Sequence, residues 1–76
     1  MGDFEVEVID FSDVAAEERV IEFRYLPAGT AFVAVVVPDG GDWSRAMVSV
    51  DPEAGDVAAV LMSSLLEVAR SMVEGR

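Results

Sequence analysis

The chain of 76 residues carries 15 aspartates and glutamates against five arginines, for a formal net charge of -10, and it contains no lysine, histidine or cysteine. Disulfides, thiolate zinc sites and imidazole ligands are therefore excluded, as are the usual nucleophile–base pairs of covalent catalysis. The negative charge disfavours direct binding to nucleic acid or to an anionic membrane, so the expected partner is a basic protein surface.

The length and the hydrophobic content indicate one folded domain over residues 1–76. A hydrophobic fraction of 53% argues against disorder, although a domain of this size buries only roughly 60% of its unfolded surface. The N-terminus lacks a basic region followed by an apolar run, and the apolar segment from Val57 to Val73 is interrupted by serines and charged residues. We therefore expect a cytoplasmic protein with neither a signal peptide nor a membrane span.

The first predicted element is a strand over about residues 3–11. Apolar and acidic residues alternate from Phe4 to Val8, which is typical of a strand with one buried and one solvent-exposed face. Two consecutive apolar residues, Val8 and Ile9, indicate a bulge or the strand end. The alternation places Phe4, Val6 and Val8 on the core side, and Asp3, Glu5 and Glu7 on the opposite side.

Residues 12–25 allow two interpretations. Ser12 or Asp13 could cap a single helix that runs to Tyr25. The β-branched and aromatic residues from Val20 to Leu26 instead favour a turn, or one helical turn, followed by a second strand over about residues 19–26. We prefer the turn and the strand.

Two further strands are predicted between clusters of turn residues. Residues 30–37 are apolar at nearly every position, which indicates a central strand buried on both faces. Turn residues flank it at positions 27–29 and 38–42, and a fourth strand follows over about residues 43–50. Short turns favour antiparallel hairpins, so the predicted fold class is α+β, a four-stranded antiparallel sheet followed by one long C-terminal helix packed on one face.

The C-terminal helix is predicted over about residues 52–74. Asp51 suits the N-cap, Pro52 suits the first helical position, and Gly75 suits the position just past the helix end. At about 100° per residue the apolar arc covers about 180°, more than one core requires. Leu61, Leu65, Val68 and Met72 should meet the sheet. The flanking residues Met62, Leu66 and Val73 either have cover within the chain or form a homodimer seam, and we prefer the dimer.

No catalytic residue, cofactor or metal site is predicted. The serine and threonine hydroxyls have no base partner, and a carboxylate pair among so many acids carries no information. The segment from Asp39 to Asp42 could bind calcium through two carboxylates. Its spacing differs from that of an EF-hand loop, and Asp and Gly are ordinary hairpin residues, so we predict a turn.

The acidic residues concentrate at the start of the chain, where eight carboxylates accompany one arginine in the first 22 residues. Same-face strand residues lie about 6.7 Å apart, so one row of them has about half the charge density of a DNA strand, which carries one charge per roughly 3.4 Å. Such a surface could occupy a basic groove that otherwise binds nucleic acid, or it could simply keep the domain soluble. The candidate partner-binding residues, here called the acidic set, are Asp3, Glu5, Glu7, Asp10, Asp13, Glu17, Glu18 and Glu22.

In size, charge and composition the chain resembles the phage-encoded anti-CRISPR proteins and other nucleic-acid mimics. The resemblance implies a non-enzymatic inhibitor that blocks the guide-binding or DNA-binding surface of an effector complex. The lack of lysine also resembles proteins of salt-loving microbes. Under that alternative the chain is a small structural or regulatory subunit whose acidity serves solubility or a high-salt environment.

Overall fold

A computed structural model of the chain describes residues 5–26 and 29–75. It has the predicted α+β fold, with a four-stranded antiparallel sheet in the order β1-β2-β3-β4 followed by one C-terminal helix. Each strand pairs with the next along the chain, as short turns require. The elements are β1 (Glu5–Asp13), β2 (Glu18–Leu26), β3 (Thr30–Pro38), β4 (Met47–Val50) and α1 (Ala59–Glu74).

The connection between β1 and β2 is a tight turn, so the prediction of a turn and a strand is confirmed and the single helix over residues 13–25 is wrong. The Asp13 carboxylate accepts a hydrogen bond from the Ala16 N–H at 3.1 Å, and the Glu17 N–H donates to the Val14 carbonyl at 3.3 Å. Glu17 closes the turn with a φ of 57°. Beyond it, β2 pairs with both of its neighbours along its length, which a helix could not do.

The core lies between α1 and one face of the sheet. Ile21, Phe23 and Val35 are fully buried there, and Leu65 and Ala69 are the buried residues of α1 in the same cluster. Consecutive strand residues normally point to opposite faces. A register irregularity between β2 and β3 interrupts this rule near Phe23, and it accounts for two adjacent core residues of β3, Phe32 and Val33.

The predicted start of the helix is wrong. Asp51 does accept a hydrogen bond from the Glu53 N–H, at 2.9 Å, but it caps only a 3₁₀ turn at Pro52–Ala54. Gly55 then adopts a φ of 75° and a ψ of -157°, which stops the turn. L side chains rarely adopt this conformation. The helix begins four residues later at Ala59, and it ends as predicted, with Gly75 in the left-handed conformation at φ 73°.

The fourth strand is also shorter than predicted. Trp43–Arg45 form a 3₁₀ turn instead of the first part of a strand, because the Asp42 carboxylate accepts a hydrogen bond from the Ser44 N–H. This is the side-chain competition with regular backbone pairing that Asp commonly provides. Only Met47–Val50 pair with β3.

The helix residues proposed for a dimer seam have cover within the chain. Met62, Leu66 and Val73 are half-buried and pack against the core cluster. Their lack of cover, on which the dimer hypothesis was based, is therefore not found. Val68, which was expected against the sheet, is instead 44% exposed, and Val60 is 82% exposed.

Candidate protein-binding face of the sheet

The sheet face opposite α1, here called the open face, is not covered by any described element. Residues paired across an antiparallel ladder point to the same side, and the core cluster identifies the other side as the one under α1. Trp43 and Val57, from the connecting segments, also pack on the α1 side. The open face carries alternate residues of all four strands, namely Glu5, Glu7, Ile9, Phe11 and Asp13 of β1, Glu18, Val20, Glu22, Arg24 and Leu26 of β2, Ala34, Val36 and Pro38 of β3, and Met47 and Ser49 of β4.

An apolar row crosses the open face from edge to edge. Phe11 of β1 lies opposite Val20 of β2, Val20 lies opposite Val36 of β3, and Val36 lies opposite Met47 of β4. These four residues, here called the apolar row, are direct cross-strand neighbours with Cβ atoms about 4.5–5.5 Å apart. The row forms because each strand contributes one apolar residue at the same level of the sheet.

The apolar row is buried at Val20, half-buried at Val36 and exposed at its two ends. Val20 is 8% exposed although it lies outside the core cluster, so its neighbours on the open face cover it. Phe11 is 40% exposed and Met47 is 70% exposed. The open faces of antiparallel sheets are usually polar, so a continuous row ending in two large exposed side chains is a distinct feature of this surface.

The structure divides the acidic set between different surfaces. Five members lie on the open face, whereas Asp10 lies on the α1 side, opposite Ile21, and Glu17 lies in the β1–β2 turn. Asp3 is outside the described residues. The five on the open face are Glu5, Glu7, Asp13, Glu18 and Glu22. The prediction that Glu5 and Glu7 face away from Val6, which packs against the core, is confirmed.

Two members of the acidic set are held by arginine. Arg19 donates two hydrogen bonds to Asp10, at 3.0 Å and 2.7 Å, and a third at 3.3 Å to the Met72 carbonyl of α1. This guanidinium therefore ties the edge of the sheet to the last turns of the helix. Glu22 accepts from Arg24 of the same strand at 2.8 Å on the open face.

The Arg19 contact also sets the acidity of Asp10. The hydrogen bonds from the guanidinium lower the pKa of the Asp10 carboxyl below its ordinary value, against a smaller opposing effect of burial. The same contact raises the pKa of Arg19. Asp10 is thus a structural carboxylate and is less available to a partner than the other acids.

Glu5, Glu7, Asp13, Glu17 and Glu18, the other described acids of the set, form no ion pair within the described part of the chain. Among residues 5–26 and 29–75, the ion pairs are Arg19–Asp10, Arg24–Glu22 and Arg70–Glu74. None involves Asp13 or Glu18, which lie directly opposite each other across the ladder, beside Phe11 and Val20 of the apolar row. Like charges at such a position destabilise a sheet, so a positive group from outside the chain would be favoured there.

The structure supports the turn interpretation of residues 39–42. Gly40 adopts a φ of 77°, and the Gly41 N–H donates to the Pro38 carbonyl at 2.8 Å. Asp42 is engaged by Ser44, whose hydrogen bonds lower the pKa of its carboxyl. In the described part of the chain, no group of three or more acidic residues is arranged to hold a metal ion. No helix there has both the length and the apolar character needed to cross a bilayer.

A cavity of about 250 Å³ lies beside the end of β4, and it is lined by Ala31, Phe32, Val33, Ala34, Ser49 and Asp51. The Asp51 carboxylate is already engaged in capping the Pro52–Ala54 turn. Asp51 is the one ionisable residue in this lining. Ala34 and Ser49 of the lining belong to the open face, so the cavity is a recess of that larger candidate site.

The apolar row was not predictable from the sequence, because its members come one from each strand and are brought together only by register. One signal was present. Glu5, Glu7, Ile9 and Phe11 share a face, so the acidic side of β1 becomes apolar halfway along the strand. The consecutive residues Val8 and Ile9 mark this change. They predict a bulge or a strand end, but β1 continues in regular register to Asp13.

No protein-family model, curated protein or solved structure matches this chain.

Proposed function

We propose that this protein is a non-enzymatic acidic binding protein that occupies a basic surface on a partner protein. More specifically, we propose that it is an inhibitor of the anti-CRISPR or nucleic-acid-mimic type, which prevents a nucleic acid from reaching that surface. The observation that carries the proposal is a set of carboxylates without ion-pair partners near one side of the sheet: Glu5, Glu7, Asp13, Glu17 and Glu18.

Electrostatics supports a basic partner in two ways. A net charge of -10 on a small domain accelerates association with a positively charged surface. The close pair Asp13 and Glu18 gains most from a cation, because its mutual repulsion is relieved on binding. Arg24 is the basic residue on the described open face, and it is already paired with Glu22.

The spacing of the charges defines the mimicry that is proposed. Glu5, Glu7 and Asp13 span eight strand intervals, or about 27 Å. A DNA strand carries one charge per about 3.4 Å, so β1 alone has a lower density. An inhibitor of this kind would need the acids of the turn and of β2, Glu17 and Glu18, to act together with β1.

The test is displacement of labelled single-stranded DNA from a synthetic arginine-rich peptide. The wild type should displace the DNA, and the displacement should weaken steeply between about 50 mM and about 200 mM salt. Replacement of Glu5, Glu7, Glu17 and Glu18 by Gln should raise the concentration needed by at least about tenfold.

The matched control changes four exposed acids outside the proposed surface, Glu53→Gln, Asp56→Asn, Glu67→Gln and Glu74→Gln. It lowers the negative charge by the same amount, so we expect a change of less than about twofold. Equal loss in both variants would mean that only total charge matters. No displacement by the wild type would contradict the proposal outright.

A second candidate, a structural or regulatory subunit, is favoured by the position of the acids on β1. This strand is an edge of the sheet, and charge on an edge strand prevents pairing with other chains. A salt adaptation predicts that the domain unfolds at low salt and folds at molar salt. Thermal melting at the two salt concentrations separates this candidate from the binding protein, which should be folded in both.

A further inference from the structure

The apolar row has the dimensions of a helix-binding stripe. It crosses three strand spacings of about 4.8 Å, and therefore extends about 14 Å. A helix rises 1.5 Å per residue, so about nine or ten residues would cover this length. That length presents three apolar positions at i, i+3 or i+4, and i+7 on one helix face.

Carboxylates border the apolar row on both sides. On one side, Asp13 lies one same-face step from Phe11 along β1, and Glu18 lies one such step from Val20 along β2. On the other side, Glu22 lies one same-face step from Val20. Each step is about 6.7 Å, which is close to the 5–6 Å radius of a helix with its side chains. Basic residues on one flank of a docked helix would therefore reach Asp13 and Glu18, which have no ion pair, and a basic residue on the other flank would reach Glu22 beside its pair with Arg24.

We propose that the open face binds a basic amphipathic helix of a partner protein, which lies along the apolar row with its lysines and arginines over the bordering acids. This inference rests on the proposed function for the charge of the partner, and it adds the shape and the apolar contacts. The helix would cover the sheet on one side as α1 covers it on the other. Groove recognition of an amphipathic helix by apolar anchors is a recurring mode of peptide binding.

Charge argues against a second copy of this chain as the occupant. A symmetric dimer brings the same patch of both subunits together. Two open faces in contact would enclose Asp13, Glu18 and Glu22 of both chains in one interface, and each described open face offers one arginine against them. Like charges at an interface oppose association.

The probe for the inference is a pair of synthetic peptides made only of leucine, lysine and arginine. One has its leucines at helical spacing, and the other has the same composition with the leucines distributed around the helix. We expect the amphipathic peptide to bind at least about tenfold more tightly, as measured by fluorescence anisotropy. Equal, salt-sensitive binding of both peptides would overturn the inference while leaving the proposed function intact. Absence of binding by either peptide would contradict both.

Variants test whether the apolar row makes the contact. Phe11→Gln combined with Met47→Gln should lower the affinity for the amphipathic peptide by at least about tenfold. The control, Val60→Gln combined with Val68→Gln, removes two exposed apolar side chains of α1 and should leave the affinity within about twofold. Loss in both variants, or in neither, would overturn the inference.

Two measurements on the wild type keep the test independent of how the variants fold. Amide chemical shifts in the NMR spectrum should change with the amphipathic peptide around the apolar row and not along α1. Shifts confined to α1 would overturn the inference. Sedimentation of the protein alone should give a monomer, whereas a dimer that Phe11→Gln and Met47→Gln dissociate would assign the row to a second copy and overturn it as well.

Discussion

The two faces of the sheet each carry an apolar row across all four strands, but only one of them has a helix over it. Under α1, Phe23 is fully buried and Val33 is 1% exposed, whereas the edge residues Val8 and Val50 are each 40% exposed. On the open face, Val20 reaches 8% exposure with cover from its neighbours alone. Four strands of this sequence therefore present more apolar surface than one helix of 16 residues can cover.

The strongest test of this difference removes one phenylalanine from each face. Phe23→Ala should cost about 3–5 kcal/mol, because it leaves a cavity under the helix. This is a large part of the roughly 5–15 kcal/mol of a whole domain. Phe11→Ala, at a 40% exposed edge position, should cost about 1 kcal/mol. Urea unfolding followed by circular dichroism measures both changes in the free energy of unfolding. Similar values would mean that Phe11 is covered as well as Phe23, and that the open face is not exposed.

A smaller effect distinguishes the arginines of the two faces. Arg19→Met removes a bidentate ion pair and the hydrogen bond to the Met72 carbonyl, and should cost about 1 kcal/mol. Arg24→Met removes a pair with Glu22 that joins two residues of one strand, and should cost at most about 0.5 kcal/mol. Hydrogen exchange should also be faster in the last turn of α1 for the Arg19 variant alone. An equal cost for the two would show that Arg19 does not fasten the helix.

The smallest predicted effect concerns the pH dependence of the covered face. The pKa of Asp10 is lower in the folded chain than in the unfolded chain. Its ionised form therefore contributes stability above the unfolded pKa of about 3.9, and this contribution is lost as the pH falls through the folded pKa. Asp10→Asn should be less stable than the wild type at about pH 7 by less than 1 kcal/mol, given its partial exposure.

The difference between the two proteins should close below about pH 4. Urea unfolding at about pH 7, 5 and 3 checks this, and the other carboxylates cancel because both proteins carry them. A difference that stays constant with pH would mean that the Asp10 side chain acts through packing and not through its charge.

Much of the fold was predictable because strands and turns leave local signals. The alternation from Glu5 to Val8 identified β1, and the turn residues at 38–42 ended β3 correctly. The start of α1 was not predictable, because Asp51 and Pro52 form a valid helix start for a single turn only. Gly55, at a φ of 75°, ends that turn, and residues 56–58 are not helical either, which capping patterns do not encode.

The candidate site was predictable in charge but not in shape. The row of acidic residues on β1 was predicted from the sequence. The position of Asp10 on the α1 side, where it pairs with Arg19, was not predicted, because it depends on the pairing of β1 with β2. The sequence predicted more apolar surface than one core requires, but it placed this excess on the flank of the helix, at Leu66. It lies instead on the sheet, where Phe11 and Met47 become neighbours of one row only after four strands have paired.

The break at Gly55 limits the length of the helix that covers the sheet. A helix continuous from Pro52 to Glu74 would have 23 residues and extend about 34 Å, longer than the roughly 30 Å of a nine-residue strand. The actual helix of 16 residues extends about 24 Å. No atom lies within 4 Å of a Cβ built at Gly55, so backbone conformation alone produces the interruption. A single achiral residue thus limits the length of the helix, and with it the area of the sheet that the helix can cover.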